Sequence, residues 1–518
     1  MWRPAKPERI GDPSFDAIIV GSGLGGSCLA HRLASAGRRV LVVERGDFLK
    51  AAPVLPGEPI GRYMHDVVGE GEPLPFVGGA TKFYGAALYR LRESDFRETR
   101  LEAGVSPAWP MSYADLEPYY AAAERLFRVH GAAGGDPSEP PRSGPFPHGA
   151  LPHDPIVARL ASALERSGTT VSPIPLGLDY GDEGGCRLCG TCDGYHCRID
   201  AKMDAEVAAL RPALATGRVS LLTNATCQRV LTNRAGTAVQ GVEVIVGGET
   251  RTYQADTVSV NCGVPGTALL LRRSRNAAHP DGLGNDHGML GRYLGGHHTG
   301  VIFPLVSWRP IGSRHTKTIA INQFYEASAE WPFPTGAIQI AGQMPIWYRA
   351  NPILQPALKA FATRTLTCFY MTEAPPTFEA GVSFEGDSGA LTVEPSFNGR
   401  TFHRLQRLAT EAFRRAGYIV VPRRRRYLWH PVGTARMGDD PQTSVTDPFG
   451  KVHGIAGLYV ADASTLRSAG AVNTALTIAA LALRTGDAIV GAAPPIQRAE
   501  AAPPDAGARS RSPLEASR

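Results

Sequence analysis

What the sequence lacks narrows its class first. No stretch reaches the roughly 18 consecutive apolar residues that a membrane-spanning helix needs. The longest apolar tract, within Ala471 to Ala482, is broken by Asn473, Thr474 and Thr477. The opening residues, MWRPAKPERIGD, hold no apolar core of the signal-peptide kind, so the expectation is a cytoplasmic protein with no membrane span. No charge of one sign dominates. The net charge of +6 over 518 residues is too mild to argue for nucleic acid. No internal repeat is present, which sets repeat architectures aside. Cysteine is scarce, eight in all. Cys28, Cys227, Cys262 and Cys368 are scattered in apolar surroundings and read as small core residues. The other four crowd together as Cys186, Cys189, Cys192 and Cys197. At 43% hydrophobic and 20% charged, the chain has ordinary globular composition and length for about two to four domains' worth of core.

The segment DAIIVGSGLGGSCLAHRLASAGRRVLVVERGD opens the ordered pattern. Ala17 to Val20 reads as a buried parallel strand. Gly21, Gly23 and Gly26 follow in GxGxxG spacing, then a helical pattern through Ala36 closed by Gly37, then a second strand, Val40 to Val43, ending at Glu44. Each part suits a dinucleotide. Gly21 permits the tight turn, Gly23 lets the backbone approach a pyrophosphate, and Gly26 lets helix and strand pack closely. The helix N-terminus offers free N–H groups to phosphates. Glu44 can accept hydrogen bonds from ribose hydroxyls. A Gly-rich turn with no ligand is the plain alternative, and strand, helix, strand and acid in this order weigh against it. The motif by itself does not separate FAD from NAD.

Three further segments bear on that choice: FVGGATKFYGAALYRLRESDF from Phe76, WPMSYADLEPYYAAAE from Trp109, and HPVGTARMG from His430. With the GxGxxG unit they resemble the glucose–methanol–choline (GMC) oxidoreductases, over nearly the whole chain and in the family's motif order. The resemblance implies a flavoenzyme that binds FAD and oxidises an alcohol, with Glu44 on the adenosine ribose and the Gly78-Gly79 segment against the flavin and pyrophosphate. The segment GLYVADASTLRSAGAVNTALT matches the family's closing motif. Asp462 is thereby expected near the pyrophosphate and ribityl chain, and Asn473 facing the flavin ring. This chain has Thr474 where the family usually has proline. Asn473 also reads as a helix N-cap before ALTIAALAL, and the two readings are compatible. Members that attach FAD through a histidine carry it four residues after the second glycine of the GG pair. Here that position is Phe83, so non-covalent FAD is expected.

The fold implied is α/β plus β: a Rossmann-type FAD-binding domain assembled from discontinuous segments, with an antiparallel-sheet substrate domain. The expected division is residues 12–293 mainly for FAD, including a flavin-covering segment 70–125 and a Cys-rich loop 184–200. Residues 294–426 form the substrate domain, 427–492 return to the FAD domain, and 493–518 form a Pro-, Ala- and charge-rich disordered tail. Within the substrate domain GVIFPLVSW, TIAINQFY, GAIQIAGQM, TLTCFYMTEA and ALTVEPSF read as antiparallel strands. Phe402 to Gly417 reads as a helix closed by glycine.

CRLCGTCDGYHC spaces its cysteines CxxCxxCx4C, close to iron–sulfur and zinc patterns, and Asp193 and His196 add possible ligands. Similar Cys-rich loops followed by an Ala-Lys pair occur in bacterial members of the resembled family not associated with metal. The expectation is therefore structural thiols or one or two disulfides, with no metal ligand assigned. Arg423 to Arg426 reads as a solvated charged face; a patch steering an anionic substrate or an acidic electron acceptor is the sharper alternative.

The expected reaction is oxidation of a primary or secondary alcohol (a sugar, a glycoside or another polar alcohol) to a carbonyl. His430 takes the hydroxyl proton and Asn473 holds the same oxygen. Pro431 biases His430 to extended geometry, and Gly433, Thr434 and Gly438 leave room around it. His298 and His453 read as packed or surface residues. A non-redox lyase of the same family and a flavin or metal electron-transfer module are the rivals. Oxygen, a quinone and a cytochrome all stay open as electron acceptor.

Overall fold

A computed structural model of the chain describes residues 15–49, 61–64, 75–342, 350–386 and 388–496. Most of the tail expected from 493 lies outside the described residues, as does part of the 70–125 segment.

Two sheets carry the architecture. The first is a five-stranded parallel sheet in the order Val219–Leu222, Val40–Val43, Ala17–Val20, Val258–Val260, Leu458–Val460. Its strands come from three distant stretches of chain, with the last added by the C-terminal segment. The strand AIIV is buried at every position, as a parallel strand covered on both faces must be. Ala17 and Ile19 pack with helices Leu24–Ser35 and Ala475–Ile489. Ile18 and Val20 pack on the other side, against Val242 and Val244 of a three-stranded antiparallel meander.

The second sheet has seven strands, all antiparallel: Ile419–Pro422, Gly295–Leu305, Cys368–Ala374, Ala337–Ile340, Ile319–Ile321 and Ser172–Pro173, with Tyr427–Val432 also pairing Gly295–Leu305. One face is covered by helices Pro155–Arg166 and Gly399–Arg415. The second of these covers the expected helix from Phe402 as far as Arg415, two residues short of Gly417. It buries Phe402, Leu405, Ala409, Ala412 and Phe413 along one stripe, the spacing of an amphipathic helix.

Two differences from the expected organisation follow from strand pairing. Tyr427–Val432 belongs to the antiparallel sheet, so the sheet continues past residue 426, and Ser172–Pro173 joins it from far upstream. ALTV of ALTVEPSF does not enter the large sheet. It closes as a hairpin on its sequence neighbour, Gly381–Glu385, whose ladder it completes locally.

Candidate active site

The GxGxxG turn is tight on one side and open on the other. Gly21 has φ +98°, a left-handed conformation that favours glycine. A Cβ on Gly26 would collide with the carbonyl of Gly21, and one on Gly25 with the carbonyl of Ala461. A Cβ on Gly23 would meet nothing within 4 Å, so the open side of the turn is there. Gly23 caps helix Leu24–Ser35 with no side-chain bond, leaving the first N–H groups to a ligand. Glu44 closes the second strand. Its carboxylate accepts from the Ser22 N–H at 2.9 Å, the Ser22 hydroxyl at 2.7 Å and the Gly46 N–H at 2.9 Å, which leaves lone pairs spare. Gly78 and Gly79 lie against the same turn. The Gly78 N–H donates to Ser22 Oγ at 3.2 Å, and a Gly79 Cβ would stand 3.1 Å from Gly23 Cα. Asp462 is placed differently from Glu44. Gly263 N–H and Thr267 Oγ1 occupy one of its oxygens, and Ser464 N–H and Oγ the other. It acts as a clip joining the fourth and fifth parallel strands' loops.

His430 does not take the extended geometry expected before Pro431: its φ is +51°. The ladder explains why. Gly295 pairs Val432 and His297 pairs Trp429, so the His430 strand holds one residue more than its partner across that interval. This is a β-bulge, with the extra residue in the left-handed region. It turns the imidazole onto the face that His297 shares with Trp429. His430 Nδ1 then lies 2.9 Å from His297 Nδ1, the rings edge to face.

The tautomers follow from this chain of contacts. His297 Nε2 sits 3.1 Å from the Gly470 carbonyl and 3.3 Å from that of Ala469. Carbonyls only accept, so Nε2 carries the hydrogen and His297 Nδ1 is bare. His430 Nδ1–H therefore donates to His297, and His430 Nε2 keeps its lone pair. Asn473 Nδ2 is 3.4 Å from that Nε2, and Asn473 Oδ1 accepts from Gln339 Nε2 at 2.9 Å, which sets the amide's orientation. Burial holds both histidines neutral, His430 at about 3 and His297 at about 4, with His297 and Lys317 also acting on His430. Asn473 is not the helix cap. The last long helix starts at Ala475 behind Thr474, so Asn473 is free to point its amide into the site.

Sequence reasoning missed His297, Gln339 and the pair Asp193–Lys317. Alternation along a strand puts His297 and His298 on opposite faces, but only the pairing tells which faces His430. Lys317 Nζ lies 2.5 Å from Asp193 Oδ1, and the Gly342 N–H donates to Asp193 Oδ2 at 2.6 Å. Asp193 thus belongs to this cluster, delivered by the Cys-rich loop.

In that loop Cys186, Cys189, Cys192 and Cys197 are all free thiols, so no disulfide forms. Among the described residues no three His, Cys, Asp or Glu side chains converge as a metal requires. Burial raises the Cys186 thiol to about 11 and raises that of Cys192 further. A cation does hold the loop, and it is Lys202 of the Ala-Lys pair. Its ammonium, 1% exposed, meets the carbonyls of Cys192 (3.4 Å) and Tyr195 (2.5 Å) in the loop, and of Lys82 (3.0 Å) and Tyr84 (2.9 Å) beside the Gly78-Gly79 segment.

His298 faces the covering helices. It stacks edge to face on Phe397 at 5.0 Å, and neither ring nitrogen has a partner. Burial depresses it to about 4. A histidine depressed in the folded state binds its proton only in the unfolded chain between about pH 6.5 and 4. Stability is then full above 6.5 and falls as the pH drops, by roughly 1.4 kcal/mol per pH unit at most. His298→Phe should therefore shrink the stability lost between pH 7 and pH 5 by about 1–2 kcal/mol. Urea unfolding at the two pH values measures it, and an unchanged loss refutes the assignment.

The N-terminal GMC oxidoreductase profile matches residues 15–299 and the C-terminal profile residues 396–482. The chain belongs to the GMC oxidoreductase family. This GMC oxidoreductase is 28% identical to paromamine 6'-oxidase of Streptomyces fradiae, over 93% of this chain and 92% of the relative. It is 26% identical to 2-methyl-1,2-propanediol dehydrogenase of Mycolicibacterium austroafricanum, over 92% and 95%. The crystal structure of pyridoxine 4-oxidase from Mesorbium loti shares the fold, with a TM-score of 0.61 at 19% identity over 91% of this chain and 98% of that one. The family and its named oxidases and dehydrogenases make this chain an oxidoreductase. Among the described residues no helix is long and apolar enough to cross a membrane.

Proposed function

We propose that this GMC oxidoreductase binds FAD non-covalently and oxidises a primary or secondary alcohol, with a sugar, glycoside or other polar alcohol as substrate class. The bare Nε2 of His430, half-buried beside the Asn473 amide, carries the reading. The cradle of Gly21, Gly23 and Gly26, with Glu44 at the ribose end and Gly78-Gly79 alongside, fits the nucleotide half. Asp462 supports that cradle from behind. FAD, when bound, supplies the hydride acceptor.

The substrate hydroxyl gives its proton to His430 Nε2 while the carbon loses hydride, leaving a carbonyl. The Asn473 Nδ2–H group donates to the substrate oxygen and aligns it. The imidazolium formed keeps its Nδ1–H bond to His297, whose own hydrogen is anchored on Gly470, so no second proton needs to move. The named relatives act on compounds with hydroxyl groups, in line with this class.

Anaerobic titration of the holoenzyme with a panel of sugars and diols should bleach the flavin absorbance with at least one of them. A bound flavin that stays oxidised throughout favours non-redox lyase chemistry and sinks the proposal. Phe83 stands at the linkage position and is buried without a nucleophilic group. Acid precipitation should therefore release all the flavin to the supernatant; colour kept in the pellet would contradict non-covalent binding.

A further inference from the structure

Three lysines are buried among the described residues, and two of them are spent. Lys82 meets the carboxylates of Asp204, at 3.1 Å, and Glu206. Lys202 meets four backbone carbonyls. Lys317, 3% exposed, has a single partner among the described residues, Asp193 Oδ1 at 2.5 Å. An ammonium carries three donors, so two N–H groups of Lys317 have no acceptor there. Buried donors are normally satisfied, and two spare ones on a single nitrogen mark the place of an absent acceptor. Asp193 is not short in the same way, because its second oxygen takes the Gly342 N–H.

Lys317 stands where the two sides of the candidate active site meet. Gly342, which anchors Asp193, follows strand Ala337–Ile340, on which Gln339 orients Asn473. On the other side is Gly85, where a Cβ would overlap both Asp193 Oδ1 and Lys317 Nζ. Gly85 belongs to the segment whose head, Gly78-Gly79, abuts the GxGxxG turn. The ammonium's charge also reaches His430, where it opposes protonation. His315, beside the pair, is pushed down by burial and adds no charge at neutral pH. Stability does not account for the pair: replacing a buried ion pair by apolar side chains of similar volume is often neutral or stabilising.

We propose that the spare N–H groups of Lys317 serve the bound flavin, donating to its carbonyl oxygens and opposing the negative charge that the ring takes up on reduction. The inference rests on the FAD reading above. An alcohol substrate answers less well to a spare cation. It is neutral, its proton goes to His430, and its oxygen is met by Asn473. The flavin is the partner that gains charge. A hydride brings two electrons and one proton, so the reduced ring is an anion until a second proton reaches it. A buried ammonium nearby favours that anion by Coulomb attraction, which is strong where water is excluded. Asp193 offsets part of this attraction. The two members of the pair therefore act on the flavin in opposite senses.

The measurement is the flavin midpoint potential of the holoenzyme at neutral pH, read by equilibration with a reference dye, and it needs no alcohol. Lys317→Met should lower the ratio of reduced to oxidised flavin at a fixed dye potential by at least about tenfold, about 30 mV for a two-electron couple. Asp193→Asn should raise that ratio, because it leaves the ammonium unopposed. The double variant Asp193→Asn/Lys317→Met buries no unpaired charge, so it keeps the test open where Lys317→Met fails to fold. Its potential should lie below that of the parent. General loosening of the site would move Lys317→Met and Asp193→Asn the same way. Shifts of one sign in those two, or an unmoved potential in the double variant, overturn the proposal. Flavin content and far-UV circular dichroism should match the parent throughout. A protein that takes up no FAD on reconstitution overturns the FAD reading and this inference together, whereas a bound flavin of unmoved potential overturns this inference alone.

Discussion

His430→Ala should keep its fold and its bound FAD yet reduce that flavin at least about a hundredfold more slowly with a saturating substrate, because a positioned base contributes about 10²–10⁴ in rate. The structure sharpens this expectation in two ways. Asn473 offers one hydrogen bond at 3.4 Å and no proton acceptor on that atom, so Asn473→Ala should cost less than His430→Ala. His430 is also held near 3 by burial, so it stays neutral and accepting across the working range. The sign is simple: the neutral form is the base, and protonation removes it only as the pH falls through about 3. Flavin reduction should therefore show no acid limb of His430 at pH 6–7, the region of a free imidazole. Anaerobic stopped-flow over pH 5–8 measures both effects. A His430→Ala protein as fast as its parent would make His430 a packing residue.

Lys202→Met should be the most destabilising single change in the Cys-rich region, by at least about 3 kcal/mol. Methionine preserves the bulk and removes the ammonium, leaving up to four buried carbonyls without their charged donor. The loop that carries Asp193 would loosen from the Gly78-Gly79 side, and the Asp193–Lys317 pair with it. Urea unfolding followed by circular dichroism gives the stability, and the labelling rate of the largely buried Cys192 reports the loop itself. The comparison with a chelator is decisive. If chelation destabilises the parent protein as much and Lys202→Met does not, a metal and not the lysine holds the loop.

The motifs legible in the sequence are those whose chemistry is local. The strand, GxGxxG turn, helix, strand and Glu44 follow one another within about thirty residues, and the structure reproduces them as a continuous unit. The helical stripe around Phe402 to Phe413 could likewise be read from its spacing alone. The antiparallel strands were legible as strands, but their partners were not, which is why ALTV was expected in the large sheet and pairs with Gly381–Glu385 instead.

His430 and Asn473 stand out in the sequence as candidate residues, and the fold brings them together. Their working arrangement belongs to the tertiary structure. The bulge that turns His430 depends on an extra residue counted against a strand more than a hundred positions away. The proton-holding role of His297 depends on two carbonyls that arrive from residues 469 and 470. Asn473 looked like a helix cap because capping is local, whereas the partner that orients it, Gln339, comes from another strand. The cysteine spacing of the Cys-rich loop is visible along the chain, whereas a lysine collecting carbonyls from two segments is not. Local sequence determined which elements and reactive groups this protein has. Pairing and burial across distant segments decided which nitrogen is bare, which charges are matched and which N–H groups are left without a partner.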